Sequence, residues 1–346
     1  MSDLSSPELH PAGSGATGTA TRTADSDPAV SSTAEALVWL GEDRFEPRSL
    51  PIPPLAPGET LVRLTTATVC GSDRHTVAGH RPAPSPSVLG HEGVGVIAAT
   101  TADHAVGQRV VFAVTAVCGD CLHCRRGLSA KCVSVAKVGH ESTEAGWALS
   151  GTYASHIVLP AGVAIAAVPD TVPDAVAATA GCAVATVMAM CEAAGDLSGR
   201  RVFVNGIGML GLIAIAAAKS RGAAEVIAFD PAPERRRLAE ATGAEAGVRA
   251  CLDAIGIGGT TVLAGSVSPG PHVTFDPEHI VRGWRTITGV HNYEPRHLRQ
   301  AVDFLAGDGA AMPWDDILGG PIRMRDLPDE FAHPTPGLRT VVDLDG

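Results

Sequence analysis

The stretch from Arg201 to Asp230 constrains the fold most tightly. Arg201-Val-Phe-Val-Asn205 is a short apolar run of strand length, and Gly206-Ile-Gly208-Met-Leu-Gly211 follows it directly. An Ala-rich helical segment then runs through Arg221, and a second strand, Val226 to Phe229, ends on Asp230. Glycines at this spacing turn the chain tightly, let its backbone approach a pyrophosphate and pack the helix onto the strand, while the helix N-terminus favours the anion. An acid about 20 residues further on meets the ribose hydroxyls. Strand, glycine loop, helix and strand in that order are the opening half of a doubly wound parallel sheet, so this part of the chain is α/β. Gly206, Gly208, Gly211 and Asp230 are the expected dinucleotide contacts. An Asp at the end of the second strand repels a 2′-phosphate, which favours NAD over NADP. Arg235, Arg236 and Arg237 are read as a solvated helix face.

A second constraint comes from the cysteines. Cys118-Gly-Asp-Cys121-Leu-His-Cys124 is followed eight residues later by Cys132. Four thiols at this spacing, in a chain without a basic and apolar leader, read as a closed zinc site with four cysteine ligands. Binding of structural zinc is coupled to folding, so the lobe around them is expected to depend on metal. Upstream, Cys70-Gly-Ser72-Asp73-Arg-His75 and Gly90-His91-Glu92 bring a thiol, a hydroxyl, two carboxylates and two imidazoles into one region. A catalytic zinc keeps three protein ligands and one open position. Cys70 and His91 supply two of the three, and Asp73 is placed to accept the second ring proton of a ligating histidine.

At 346 residues, 45% hydrophobic and 18% charged, the chain can bury ordinary cores and is expected to form two domains. Its formal net charge of −11 argues against nucleic acid or an anionic membrane as partner. No apolar run is long enough to span a bilayer, and no secretory signal is evident. Residues 1–33 are almost free of large apolar side chains and read as a disordered tail. From Ala34 the text changes: Ala36–Leu40, Thr60–Leu64, Val94–Ala98 and Arg109–Val114 read as strands, broken by the Pro-rich turn near Pro51–Gly58. Asp174 to Ala194 is Ala-rich and reads as one helix. His140, Glu141 and His156 are read as structural or solvent-facing rather than as ligands.

The pair CGSD and GHEGVG resembles the catalytic-zinc signature of the zinc-dependent medium-chain alcohol dehydrogenases. The similarity extends from Ala34 to the C-terminus, apart from a gap described below. It implies a GroES-like β-rich catalytic domain over 34–175 and 293–346, with a structural-zinc lobe at about 116–134, and a Rossmann domain over 176–292. It also implies a third catalytic-zinc ligand at Cys182, within Gly181-Cys182-Ala183-Val184-Ala185-Thr186. Thr186 matches a position near the nicotinamide, and Arg339 in Gly337-Leu-Arg339-Thr matches an arginine at the cofactor pyrophosphate. Ser72 and His75 match a proton relay, and Glu92, beside the ligand histidine, is expected to approach the metal transiently during water exchange. Gly71 replaces a basic phosphate-binding residue found in some members, so anchoring falls to Arg339 and the glycine loop. The implied chemistry is reversible alcohol oxidation, with two zinc ions and NAD per chain and a small-molecule alcohol or aldehyde as substrate. A homodimer or homotetramer is expected. Six of the eight cysteines then serve metal as thiolates, which fits a reducing cytoplasm; Cys191 and Cys251 have no assigned role.

One unit of the family pattern is missing. After Gly243 the chain reaches Gly258-Gly-Thr-Thr-Val-Leu-Ala-Gly265, which resembles the fifth strand, with no fourth strand before it. A central βα unit of roughly 35 to 45 residues is absent by the size of such units. Either the sheet closes by pairing the fifth strand with the first, or the domain is damaged and the protein is a non-catalytic zinc and nucleotide binder. Arg285–Val290 resembles the last strand. Gly289-Val-His-Asn-Tyr-Glu-Pro-Arg-His-Leu298 and Gly146-Trp-Ala-Leu-Ser-Gly151 resemble the phosphonate-catabolism-associated subgroup of the family, for which Arg285, Arg296 or His297 would meet a phosphonate.

Overall fold

The computed structural model describes residues 32–230, 232, 255–264 and 274–345. The expected helix after Pro233, Arg235–Arg237, Gly243, Cys251 and Gly265 lie outside the described residues, as does the tail through residue 31. Thr33, placed in that tail by the sequence reading, instead opens the first strand, where it is opposite Pro51. The preceding residue is already held, since the Ser32 carbonyl accepts a hydrogen bond from Ile52 N–H at 2.9 Å.

The catalytic half is built on strands β1 (Thr33–Trp39), β2 (Phe45–Pro51), β3 (Thr60–Val69), β4 (Ser87–Val88), β5 (Gly93–Thr100), β6 (Arg109–Ala116), β7 (Ala136–Lys137), β8 (His156–Leu159) and β9 (Val163–Ala167). β1 lies between β2 and β4 in an antiparallel three-stranded sheet. β3 is buried along most of its length and is the spine of an eight-stranded sheet, pairing with β5, β8 and the C-terminal strand. That last strand, β15 (Arg339–Asp343), places Thr340 opposite Val69, so the chain end is stitched to the residue before Cys70. β14 (Leu318–Arg323) covers its outer edge.

The second half carries β10 (Arg201–Asn205) and β11 (Glu225–Phe229) as a parallel pair joined by the helix Met209–Ser220. β12 (Thr260–Leu263) and β13 (Thr286–Gly289) form a second parallel pair. Among the described residues these are two separate two-stranded sheets, and β12 bonds to β13 and not to β10. Direct closure of the fifth strand onto the first is therefore not the arrangement adopted.

The segment Asp174–Ala194 is not one helix. A turn of α-helix (Asp174–Ala177) and a 3-10 turn (Ala178–Gly181) end at Cys182, and a new helix, Ala183–Ala194, starts at an angle of 51°. The break has a packing cause. Gly181 lies so close to β6 that a Cβ on it would stand 2.5 Å from the Phe112 carbonyl oxygen, and the Tyr293 hydroxyl donates to the Gly181 carbonyl. Cys182 consequently caps the second helix with φ −130° and ψ −72°, outside helical geometry. No single helix among the described residues is long and apolar enough to cross a membrane.

Helix Ala183–Ala194 packs on helix Pro295–Ala306, and one charged clamp crosses the contact. Glu192 accepts from Arg296 Nε at 3.0 Å and faces His297 Nε2 at 3.0 Å. The Arg296 hydrogen bonds hold the Glu192 carboxyl down to about 2 from its ordinary 4.5, with His297 adding to the effect. A depressed carboxylate contributes stability that is complete above the unfolded value and is lost as the pH falls toward the folded one. Since the Glu192 side chain is 47% exposed, screening limits the contribution to about 1 kcal/mol or less. Glu192→Gln should lower the unfolding midpoint at pH 7, and the deficit relative to the parent should shrink as pH falls from about 4.5 toward 2. A deficit independent of pH across that window would show that the clamp does not act through the carboxylate charge.

Candidate active site

The site is assembled at the end of β3. Cys70 caps the short helix Gly71–Val77, whose Asp73 is only 2% exposed. A buried carboxylate has to be bonded on every side to be tolerated, and Asp73 is. Its Oδ2 accepts from the Cys70 N–H at 2.9 Å and from the Tyr153 hydroxyl at 3.1 Å, and its Oδ1 lies 3.1 Å from His91 Nδ1. The His91 contact fixes the ring so that Nδ1 carries its proton toward Asp73 and Nε2 faces inward.

Around that inward nitrogen the donor atoms of Cys70, His91 and Cys182 all lie within 4.8 Å of one another. The Cys70 thiol is held well below its ordinary value by a hydrogen bond from Cys182, with Arg339 and His91 adding to the effect against burial. Ser72 Oγ is 3.4 Å from His91 Nε2. His75 is exposed and lines the same cleft, though no hydrogen bond joins it to Ser72 among the described residues. Glu92 is fully buried; its Oε2 accepts from Arg339 Nε at 2.9 Å and from the Thr68 hydroxyl at 2.6 Å, while its Oε1 has no partner. Burial raises the Glu92 carboxyl and the neighbouring Arg339 opposes that rise. Arg339 therefore reaches the site already committed to a buried ion pair.

A cleft of about 1530 Å³ runs from these residues past Thr186 to the glycine loop and Asp230. Gly206 has φ +91°, a conformation that side chains other than glycine rarely adopt. A Cβ on Gly211 would stand 1.9 Å from the Gly206 carbonyl oxygen, so helix and loop touch backbone to backbone. Gly208 caps the helix. Asp230 is buried, and its carboxylate accepts from Ile207 N–H at 2.8 Å and Ala232 N–H at 2.9 Å, which ties the strand end to the loop.

The sulfurs of Cys118, Cys121, Cys124 and Cys132 also lie within 4.8 Å of one another, in a separate lobe. Cys118 Sγ accepts from the Cys121 N–H at 3.4 Å, and Cys132 Sγ accepts from the Cys118 N–H at 3.4 Å. Hydrogen bonds led by the one from Cys118 bring Cys132 down to about 6.

Several readings need correcting. Arg296 and His297 are engaged by Glu192, and Arg285 donates to the His279 and Gly256 carbonyls. None of the three lines the cleft. His140, read as structural or solvent-facing and not as a ligand, lines the cleft outside the three-donor group, its ring centroid 5.7 Å from that of His91. His156 pairs within β8, where its Nδ1 meets the Ser155 hydroxyl at 3.0 Å. The sequence reading also passed over the supporting tyrosines. The chain has two, Tyr153 and Tyr293, and each anchors the surroundings of a donor: Tyr153 through Asp73, Tyr293 through the Gly181 carbonyl and the Val114 N–H. The available signal was their rarity in a chain otherwise poor in aromatic residues.

Comparison with known proteins agrees with this geometry. Residues 56–170 match the alcohol dehydrogenase GroES-like domain. The chain is 35% identical over 222 residues to 5-exo-hydroxycamphor dehydrogenase of Pseudomonas putida, a match covering 61% of this chain and 60% of that protein. It thus spans about three-fifths of the length of the curated relatives it matches. Among solved structures, an alcohol dehydrogenase of Thermotoga maritima superimposes with a TM-score of 0.79 at 23% identity, covering 90% of this chain and 99% of the other. A dehydrogenase of Sinorhizobium meliloti bound to NADP gives 0.77 at 25% identity, covering 90% of this chain and all of its own. The neighbours carry a GroES-like and a Rossmann domain, the α/β class described above. The chain is thus similar over residues 56–170 to the alcohol dehydrogenase GroES-like domain, is similar over about three-fifths of its length to curated dehydrogenases, and shares its fold with solved alcohol dehydrogenases.

Proposed function

We propose that this chain is a zinc-dependent alcohol dehydrogenase that moves hydride reversibly between a small-molecule alcohol and NAD. The observation that carries the reading is the convergence of Cys70, His91 and Cys182 on the wall of the cleft that also holds the glycine loop. Two thiols and an imidazole are donors zinc prefers, and three of them leave one position open, as a catalytic site requires. Glu92 Oε1, buried and unpartnered, adds an uncompensated oxygen beside the donors. The four-sulfur lobe fits a closed structural zinc. Gly206 and Gly211, in backbone contact, fit the close approach of a pyrophosphate.

When bound, zinc supplies Lewis-acid polarisation of a substrate oxygen, and the nicotinamide takes or returns the hydride. The chain's own residues do the rest. Asp73 holds the His91 proton at Nδ1, so the Nε2 lone pair stays available. Ser72 Oγ, beside that nitrogen, would accept the substrate proton as its own hydroxyl proton passes to His75, which lines the exposed edge of the cleft and would release a proton to water. Thr186, on the wall of the same cleft, would border the nicotinamide. Arg339, kept cationic by Glu92, faces the cleft and contributes to pyrophosphate binding. Asp230 favours NAD, since a 2′-phosphate would meet its carboxylate.

A second reading, a zinc protein with a cofactor half that no longer works, is favoured by one observation: the pairs β10–β11 and β12–β13 do not bond to each other among the described residues. Titration of zinc-loaded protein with NADH, followed by nicotinamide fluorescence, separates the two. Saturable micromolar binding is expected. Absence of binding with both metals retained would replace the dehydrogenase reading with the second one. Gly211→Ala should weaken NADH binding by about 10-fold or more, because the added methyl cannot coexist with the Gly206 carbonyl.

Metal analysis tests the two donor sets. Cys70→Ser should reduce zinc from two ions per chain to one and abolish turnover. Cys132→Ser should also leave one ion, but its main effect should be a lower unfolding temperature. Two zinc ions and full turnover in Cys70→Ser would refute the ligand set.

A further inference from the structure

The sequence carries Gly-His-Glu twice, at Gly90-His91-Glu92 and at Gly139-His140-Glu141, and the fold lays one copy against the other. Gly139 has φ +71°, and a Cβ on it would stand 2.2 Å from the Gly90 carbonyl oxygen. Contact this close, in that conformation, admits only glycine. Hydrogen bonds fix the second copy from both sides. The Val138 N–H donates to the Val114 carbonyl at 3.1 Å, and the Gly139 N–H donates to the Ser150 carbonyl at 2.7 Å. His140 is thereby set beside the metal donor His91, its ring inclined at 56° to that of His91, and it lines the cleft.

The two histidines are oriented by different partners. His91 Nδ1 faces the Asp73 carboxylate, whereas His140 Nδ1 lies 2.8 Å from the Val138 carbonyl oxygen. A carbonyl can only accept, so the His140 proton sits on Nδ1. His140 makes no ion pair among the described residues; burial first, then His91 and Arg81, push it down to about 4. The ring is therefore neutral, and Nε2 presents a lone pair. That nitrogen has no hydrogen-bond partner among the described residues, is not sealed off from the cleft, and does not belong to the three-donor group. An acceptor on the wall of a substrate cleft makes a demand on what binds there. A ligand that covers it without supplying a donor leaves it desolvated and unpaired, and that costs affinity.

We propose that His140 is a specificity-determining residue, its Nε2 accepting a hydrogen bond from a second hydroxyl of the alcohol substrate, on the carbon beside the reacting one. The position follows from the neighbour: His140 adjoins His91, so a group next to the reacting carbon is the group within its reach. A neutral hydroxyl suits the acceptor better than an ammonium, because the charge of Arg81 already bears on this ring. The inference rests on the dehydrogenase reading in calling the ligand a substrate. The hydrogen bond itself needs no turnover.

The test uses zinc-loaded full-length protein with isotope-labelled histidine nitrogens, the His140 signals being those lost in His140→Gln. In the free protein, Nε2 should give the resonance of an unprotonated ring nitrogen. Propylene glycol should shift it saturably, and propanol at the same concentration should leave it nearly unmoved. In turnover, the ratio of kcat/KM for propylene glycol to that for propanol should fall about 5-fold in His140→Leu, the usual effect of losing one uncharged hydrogen bond. His140→Gln, which places an amide oxygen near the position of Nε2, should recover most of that ratio. A protonated Nε2 in the free protein would overturn the proposal. So would a resonance that the diol leaves unmoved, or equal losses for the two alcohols in His140→Leu. If the diol shifts Nε2 saturably in a protein that oxidises neither alcohol, the hydrogen bond stands and the dehydrogenase reading fails.

Discussion

Everything at the candidate site depends on one buried carboxylate. Asp73 is reached by Cys70 from the end of β3, by His91 from the segment before β5 and by Tyr153 from the segment before β8. A carboxylate in such surroundings is tolerated only because all three donors arrive together, and each charge-assisted bond contributes about 1.5–3 kcal/mol. The same interactions that make Asp73 tolerable orient two of the three metal donors. Stability and site geometry are one requirement here, and neither can be altered without the other.

The third donor is positioned from the opposite half. Cys182 presents its thiol because the helix breaks there, and the helix breaks because Gly181 is pressed against the Phe112 carbonyl and held by Tyr293. The C-terminal strand contributes separately: Arg339 enters beside Val69 and pairs with Glu92, one residue from His91. Breaking a buried pair of this kind costs about 3–5 kcal/mol, because the remaining charge has no water to turn to. Three distant parts of the chain are therefore committed to one small buried region, which explains how a site can stay ordered at the junction of two halves.

What the sequence disclosed follows from the range of the interactions. The glycine loop and the four-cysteine lobe are local: their chemistry is set by spacing within about a dozen residues, so their text is legible. Cys70, Asp73 and His91 were legible as a combination, but Cys182 came from resemblance, since nothing near it in sequence announces a ligand. The helix break was hidden for the same reason: an Ala-rich run without proline reads as continuous helix, and only the β6 backbone against Gly181 interrupts it. The basic groups give the sharpest contrast. Arg296 and His297 stood beside a resemblance and drew attention, yet one acid, Glu192, takes both. Arg81, Lys137 and His291 are scattered through the chain, and only folding brings them to one cleft.

The charge of the cleft then follows from simple addition. A zinc ion held by Cys70, His91 and Cys182 would have its two positive charges matched by the two thiolates, with His91 neutral. Glu92 and Arg339 cancel each other, as do Arg74 and Glu330, whose contact is 2.5 Å. Asp73 retains one negative charge, buried and directed toward its three donors. Arg81 and Lys137, which line the same cleft, make no ion pair among the described residues, although the protein as a whole is acidic. An acidic exterior repels extended polyanions.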